Sequence, residues 1–304
     1  MKTRARAFRW ARAPTVGLVD QAWIDEAVRD YGESDPYVIA KVHARFPRGG
    51  SSRAIPSAWV EAAAEAPEPE GDDVVRLCDL GLAEETRTIA VVRGSWVRLG
   101  VDVAADGGDE FVIARVVGDV VTIEHSSAGA ENENSVTVAG VVLRHILRAQ
   151  ALAAALGTAA PVVCSLDAIV VGYGISGTLR AWRSEGMHAA TIVPVIVSEK
   201  PTRAVTESAT MRPRNRKAEA YMAFRSLLQP GPDGAGLLRL GWLDHRTLAQ
   251  FSGPKMLNDS AGYVTIERKA DLKRRGVKSN DRAEACILAC YSAGEAKRKG
   301  RVLA

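Results

Sequence analysis

The sequence is poor in cysteine and in net charge, and it lacks several common signatures. Its four cysteines form no CxxC pair, which argues against a zinc site or a disulfide framework. The net charge is only +4, from 40 lysines and arginines against 36 aspartates and glutamates, so overall charge alone does not predict a nucleic-acid partner. We predict no apolar segment long enough to span a membrane. No GxxxxGK[ST] motif occurs, which excludes an ATP site of the P-loop type.

The basic residues are nevertheless distributed unevenly. Residues 200–217 and 268–278 each contain six basic residues and one acidic residue. Such runs suit a polyanionic partner, although either run taken alone is also typical of a solvated protein surface. The 304 residues allow one large domain with an appendage or two domains, and the apolar content of 47% is sufficient for a real core.

The residue pattern predicts a change of architecture along the chain. Residues 20–47 have apolar residues at helical spacing, interrupted at Gly32 and Pro36, and residues 60–73 read as an acidic helix end followed by a Pro/Glu/Gly linker. We therefore predict a small, mostly helical N-terminal segment over residues 1–85 and a second domain over residues 86–304. This second domain has predicted strands at 97–103, 111–117, 120–125, 162–166 and 191–197, and predicted helices at 135–156, 175–185 and 282–297. Three strands in a meander followed by alternating helices and strands predict an α/β fold, with a mixed sheet flanked by helices.

Two aspartates end strand-like segments of this pattern. Asp102 ends the strand that begins at residue 97, and Asp167 follows "PVVCSL". If these strands are parallel neighbours, the two carboxylates lie about one strand spacing apart at the same end of the sheet, where open sheets often bind ligands. A third acid, Asp281 or Glu284, comes from the start of the last predicted helix. A bound cation would offset the cost of gathering carboxylates there.

Each of these signals alone has a simpler explanation. An aspartate at a strand end is commonly a turn residue, the glycines of "GYGISG" permit a tight turn, and "NDRAE" is a good helix start. Together, oxygen ligands without histidine or cysteine favour Mg²⁺ or Mn²⁺. Two such ions can activate a water molecule and stabilise the leaving oxygen of a phosphodiester. We interpret Asp106 and Asp109 as turn residues, although either could hold a metal-bound water, and Trp182 and Tyr221 as packing residues.

Four segments in succession resemble a known family. They are "GVDVAADGGDEFVIARV", "VVCSLDAIVVGYGISGTLRAW", "RNRKAEAYMAFRSLLQPG" and "KADLKRRGVKSNDRAEACILACY". Their order and spacing are similar to those in the nuclease domain of the large subunit of tailed-bacteriophage terminases, the DNA-packaging enzymes. The resemblance covers about residues 96–293, and "WIDEAVRDYGESDPYVIAKVHARFP" resembles the segment that precedes this nuclease in the family.

The resemblance implies an RNase H-like fold and metal-dependent cleavage of double-stranded DNA with two Mg²⁺ or Mn²⁺ ions. The catalytic, metal-binding acids would be Asp102, which contacts both ions, and Asp167 and Asp281, which hold one each, with Glu284 close to the metals. It further implies the terminase small subunit, the portal protein and an ATPase motor domain or chain as partners, no membrane, and the cytoplasm of a bacterial host as location. On this interpretation the residues that contact DNA phosphates are Lys269, Lys273, Arg274, Arg275, Lys278, Arg214, Arg216 and Lys217.

The sequence departs from the family in two respects, and other functions stay open. The family usually has "SPDRADA" in the last motif, where this chain has Asn280 and Glu284. The full-length family also carries an N-terminal ATPase motor, whose GxxxxGK[ST] motif does not occur in this sequence, so the resemblance concerns the C-terminal part of the family alone. Because actin-like ATPases and sugar kinases also place an early Asp-x-Gly turn on an RNase H-like sheet, a nucleotide-binding domain is one alternative. The other is a DNA-binding packaging module without catalytic activity.

Overall fold

The computed structural model describes residues 20–33, 36–43, 53–103, 109–129, 132, 134–169, 171–202, 212–231, 234–259 and 262–291. Its helices are α1 Gln21–Tyr31, α2 Pro36–Lys41, α3 Ser57–Ala64, α4 Ser135–Ala155, α5 Val171–Ser184, α6 Arg216–Leu228, α7 His245–Ser252, α8 Lys269–Arg274 and α9 Asp281–Cys290. Its strands are β1 Val74–Arg76, β2 Ala90–Val92, β3 Val97–Asp102, β4 Phe111–Val117, β5 Val120–Ser127, β6 Val163–Asp167, β7 Thr191–Val195, β8 Arg212–Pro213, β9 Met256–Asn258 and β10 Tyr263–Ile266. A short 3₁₀ helix, Leu77–Leu80, follows β1.

A mixed five-stranded sheet, in the order β5-β4-β3-β6-β7, forms the centre of the fold. The meander β3-β4-β5 is antiparallel, whereas β3, β6 and β7 are parallel. In the β3–β6 pair Val101 lies opposite Leu166, so the two strands end at the same edge of the sheet, on Asp102 and Asp167. The predicted α/β fold with a mixed, helix-flanked sheet is confirmed, and the bounds of the five strands agree with the predictions to within two residues.

Alternation along the strands assigns each side chain to one of two layers. Leu99 and Val101 of β3, with Leu166 of β6, face a core cluster that includes residues of α4 and α5. The residues between them face the opposite layer, where α9 packs on β3 and β4. Because successive side chains point to opposite faces, Gly100 and Asp102 both lie on the α9 side.

Helix α4 contradicts the prediction that the sequence has no apolar segment long enough to span a membrane. It is long and apolar enough, by length and composition, to cross a bilayer, although the sequence was predicted to contain no such segment. One face of the helix instead belongs to the protein core, where Val138, Val142, Ile146 and Ala149 are buried against the sheet. The helix is therefore a core helix of this fold.

Helix α5 begins earlier than the sequence predicts. The segment "GYGISG" was expected to form a turn before a helix at residue 175, but it lies within α5, which starts at Val171. A Cβ atom on Gly172 would lie 1.8 Å from the carbonyl oxygen of Asp167. The glycine is thus needed for the close approach of the helix to the strand end, and its role is packing.

Part of the predicted N-terminal segment packs on the second domain. Val60 and Ala63 of α3 belong to the same core cluster as Phe224 of α6 and Phe251 of α7. The guanidinium of Arg225 in α6 donates a hydrogen bond of 3.1 Å to the carbonyl of Ala54. The division of the chain at residue 85 stays a prediction.

Candidate active site

Four carboxylates meet at the carboxyl ends of the parallel strands. Asp102 ends β3 and Asp167 ends β6, while Asp281 and Glu284 lie in the first turn of α9. Asp102 and Asp281 are buried, and the charges of the other three carboxylates all act on the pKa of Asp102. The structure therefore brings together the four acids that the sequence singled out.

The ammonium group of Lys269, the first residue of α8, lies among three of these carboxylates. Its Nζ atom is 2.7 Å from Asp281 Oδ1, 3.3 Å from Glu284 Oε2 and 3.6 Å from Asp102 Oδ2. Burial alone would lower the pKa of Lys269, but the three acids outweigh it and raise this pKa above its usual range. Lys269 therefore neutralises part of the negative charge of the cluster.

The carboxylates differ in how readily they ionise. Burial raises the pKa of Asp102 well above its ordinary value, and the neighbouring acids raise it further against the opposing effect of Lys269. Burial and then Glu284 raise the pKa of Asp167. Glu284 is affected in the opposite direction, because Lys217 and Lys269 outweigh its burial and lower its pKa. Glu284 thus holds its negative charge more firmly than Asp102 or Asp167.

Two side chains that the sequence analysis did not assign to the site hold Glu284 in place. The Asn280 amide donates to Glu284 Oε1 at 3.1 Å and also to the hydroxyl of Tyr221, and this hydroxyl in turn donates to Glu284 Oε1 at 3.4 Å. Lys217, four residues before Tyr221 on α6, lies 2.5 Å from the same oxygen. The spacing of Lys217 and Tyr221 could have shown that they share a helix face, but Tyr221 was interpreted as a packing residue alone.

In addition to Lys269, groups from two other parts of the chain hold Asp281 in place. The backbone N–H of Glu110 donates to Asp281 Oδ2 at 2.9 Å, and the Ser279 hydroxyl donates to Asp281 Oδ1 at 2.6 Å. Asp109, next to Glu110, pairs with Lys273 at 3.1 Å, and Asp106 lies outside the described residues. The loop before β4 therefore helps to orient the third acid of the site.

Seven of the eight predicted DNA-binding residues pair with carboxylates of the protein, and the side chains of four of them are no more than 35% exposed. Lys269 and Lys217 contact the acidic cluster. Arg216 pairs with Glu199 at 2.9 Å. Arg275 makes two hydrogen bonds to Glu267, at 2.8 and 2.7 Å, and a third to the carbonyl of Gly253. The assignment of these four residues to DNA binding stays a prediction.

The other four basic residues are turned towards solvent. The side chains of Lys273 and Arg214 are each 56% exposed, and that of Arg274 is 78% exposed. Lys278 is also exposed. Lys273, Arg274 and Lys278 precede Asp281 in the chain, so the exposed basic surface lies close to the acidic cluster.

An open pocket adjoins the cluster. Asp167, Lys217, Tyr221 and Glu284 line its polar side, and Val197, Ala220, Ile287 and Leu288 line the rest. In the part of the chain that the structure describes, no group of three His, Cys, Asp or Glu side chains is arranged to hold a metal ion. Where an ion would be expected, the carboxylates instead surround the Lys269 ammonium.

No protein-family model and no curated protein matches the chain. Solved structures similar to it include the nuclease domain of the large terminase subunit gp2 of bacterial virus Sf6, at 16% identity and a TM-score of 0.55. One mutant of that domain, solved with manganese and beta-thujaplicinol and also with calcium, has 16% identity and a TM-score of 0.53 in each structure. Each comparison covers 79% of this chain and 99% of the other. The fold is therefore that of phage terminase nuclease domains, which confirms the RNase H-like fold implied by the sequence resemblance.

Proposed function

We propose that this chain is a metal-dependent endonuclease that cleaves double-stranded DNA, as the nuclease part of a phage DNA-packaging terminase large subunit. The observation that carries the proposal is the convergence of Asp102, Asp167, Asp281 and Glu284 at one end of the parallel strands. A purely structural role would not explain this arrangement, because gathering four carboxylates at a partly buried site beside Lys269 and Lys217 is costly. The shared fold with the Sf6 nuclease domain supports the same function.

The residues of the site fit divalent metal ions. Their donors are carboxylate oxygens, the ligands that Mg²⁺ and Mn²⁺ prefer. Asp102 Oδ2 is buried and accepts no hydrogen bond from any described residue, with the Lys269 ammonium 3.6 Å away, so this oxygen is available to a cation that takes the place of the ammonium group. Asp102 would contact two ions, Asp167 and Asp281 one each, and Glu284 would support them. When bound, the ions supply charge that activates a water molecule and stabilises the leaving oxygen of the phosphodiester.

The remaining groups of the site position the acids and the DNA. Tyr221 and Asn280 hold Glu284, and Glu110 and Ser279 hold Asp281, so the carboxylates are oriented before the substrate binds. The exposed residues Lys273, Arg274, Lys278 and Arg214 would contact DNA phosphates, which gives affinity without base specificity. The partners would be the terminase small subunit, the portal protein and an ATPase motor, in the cytoplasm of a bacterial host and without a membrane.

Cleavage should depend on a divalent ion. With supercoiled plasmid as substrate, we expect nicked and linear products in Mg²⁺ or Mn²⁺ and none in EDTA. Ca²⁺ should support little cleavage, because its flexible coordination positions a water molecule poorly. Gel analysis of a time course measures this, and ATP serves as a control that should leave the rate unchanged. Cleavage in EDTA would contradict the metal mechanism, and rapid ATP hydrolysis would favour the nucleotide-binding alternative.

Lys269→Met should destabilise the metal-free protein at neutral pH and increase its response to metal. Without the ammonium group the carboxylates repel one another, and we expect the free energy of unfolding to fall by about 2 kcal/mol. This loss is smaller than the loss on breaking a fully buried ion pair. The pKa of Asp102 is already raised in the folded state, and this variant should raise it further. A carboxyl group whose pKa is raised on folding stabilises the folded protein at low pH. This stabilisation is lost as the pH rises through the pKa of the folded state.

The measurement is the thermal unfolding midpoint between pH 5 and pH 8, with and without Mn²⁺. We expect the deficit of Lys269→Met to be largest at pH 8 and smallest at pH 5, and Mn²⁺ to raise the midpoint of the variant more than that of the wild type. Lys278→Met is the matched control, because this exposed lysine should contribute little to stability. A pH-independent deficit would show that Lys269 acts through packing and not through charge.

A further inference from the structure

A small three-stranded sheet presents an arginine pair outside the carboxylate cluster. In this sheet, with the order β8-β10-β9, Arg212 lies opposite Tyr263 and Pro213 lies opposite Val264. Pro213 and Val264 are buried, whereas Arg212 and Tyr263 are exposed. Because side chains alternate along a strand, Arg214 returns to the exposed face of Arg212. We call Arg212, Arg214 and Tyr263 the arginine–tyrosine patch.

The tyrosine ring contacts both guanidinium groups. The guanidinium carbon of Arg212 lies 5.9 Å from the centroid of the Tyr263 ring, and that of Arg214 lies 5.4 Å from it. Arg214 also pairs with Asp259 at 2.9 Å. A cation held over an aromatic face is partly ordered while its N–H groups stay available to an anion. The arrangement therefore reduces the entropy cost of binding an anion with both arginines.

The patch lies next to the proposed active site along the chain. Asn215 caps α6 by accepting a hydrogen bond from the Ala218 N–H, and Lys217, three residues after Arg214, contacts Glu284. A DNA strand whose phosphodiester reaches the acidic cluster would therefore pass close to the patch.

We infer that the arginine–tyrosine patch binds two neighbouring phosphates of a DNA duplex that is held at the acidic cluster. Arg212 and Arg214 are two residues apart in an extended segment, a separation of about 6.8 Å that suits successive phosphates of one strand. Planar guanidinium groups match phosphate oxygens by bidentate hydrogen bonding. Tyr263 is a positioning residue that acts through the two arginines. This inference rests on the proposed function, and it adds Arg212 and Tyr263 to the DNA-binding surface.

Equilibrium binding to a fluorescent duplex in Ca²⁺, followed by anisotropy over a salt series, tests the inference. The Arg212→Ala and Arg214→Ala double variant should bind more weakly, and the slope of log affinity against log salt should become shallower by about two units, one for each lost phosphate contact. Tyr263→Ala should weaken binding by about threefold, the contribution of an exposed cation–π contact. Tyr263→Phe should restore the wild-type affinity, because its ring still supports both arginines.

The matched control is an Arg93→Ala and Arg183→Ala double variant. Both arginines are exposed and lie towards the opposite end of the sheet from Asp102, so removing them changes the net charge equally but should leave the salt slope unchanged. An unchanged slope in the patch variant, when the wild type binds DNA, overturns the inference and leaves the proposed nuclease intact. A wild type that binds no duplex overturns both. A Tyr263→Phe variant as weak as Tyr263→Ala overturns the role of the ring.

Discussion

Asp102→Asn should abolish DNA cleavage while leaving the protein folded. Removing a residue that hydrogen-bonds to a metal ligand typically lowers activity by about 10- to 100-fold. We therefore expect that removing a direct ligand lowers the cleavage rate by more than about 100-fold. Stability should be retained or increased, because burial already disfavours the charged form of Asp102 and raises its pKa. Asparagine has the same shape without the charge. The plasmid assay and the thermal unfolding midpoint measure the two effects.

A matched control separates this effect from a general loss of acidic charge. Asp73 is exposed in the turn before β1, and Asp73→Asn should cleave DNA like the wild type. If Asp102→Asn cleaved plasmid at the wild-type rate in Mg²⁺, the acidic cluster would not be the catalytic site. If it lost activity and also unfolded at a much lower temperature, Asp102 would have a structural role that we do not expect.

Gly100→Ala should destabilise the protein more than any surface change and should also reduce cleavage. A Cβ atom at this position would lie 2.0 Å from the carbonyl oxygen of Ala285 and 2.2 Å from the backbone nitrogen of Ala289. Because both contacts are backbone atoms of α9, helix and strand must move apart. Overpacking of a core typically costs 1–3 kcal/mol, and we expect about 3 kcal/mol here because backbone atoms cannot rotate away. Displacing α9 would also displace Asp281 and Glu284.

Denaturant unfolding gives the stability change, with Gly140→Ala as the control. A Cβ atom on Gly140, within α4, meets no atom within 4 Å, so alanine there should stabilise the protein by about 0.5–1 kcal/mol through helix propensity. A small loss of stability in Gly100→Ala, comparable to that of a surface change, would mean that α9 does not pack on β3 as closely as described.

The sequence alone predicted the acids of the site and the elements that carry them. Short apolar, strand-like segments identified β3, β4 and β5, and the apolar segment before Asp167 identified β6. These patterns are local, since they arise from which face of a strand is buried. The ends of β3 and β6 at Asp102 and Asp167 followed from the same patterns, once parallel pairing of the two strands was assumed.

The tertiary structure decided which charges neutralise one another. Lys269 lies 12 residues before Asp281 in the chain and 167 residues after Asp102, and sequence spacing could not place its ammonium group between them. The same holds for Tyr221 with Glu284 and for Arg275 with Glu267, because such contacts depend on how helices pack on a sheet. Basic residues that pair internally and basic residues that face solvent look alike in the sequence.

What the sequence determined by itself is therefore the position along the chain of the five strands of the central sheet and of α4, and the placing of carboxylates at strand ends. Only the tertiary structure decided that α5 begins at Val171, since a helix can start there only if Gly172 lies against the carbonyl of Asp167. It also decided that α9 carries Asp281 and Glu284 to Asp102, through close packing on Gly100. Local periodicity can be recognised from neighbouring residues. These contacts, in contrast, join segments that are far apart in the chain, and their geometry depends on how the helices and strands pack.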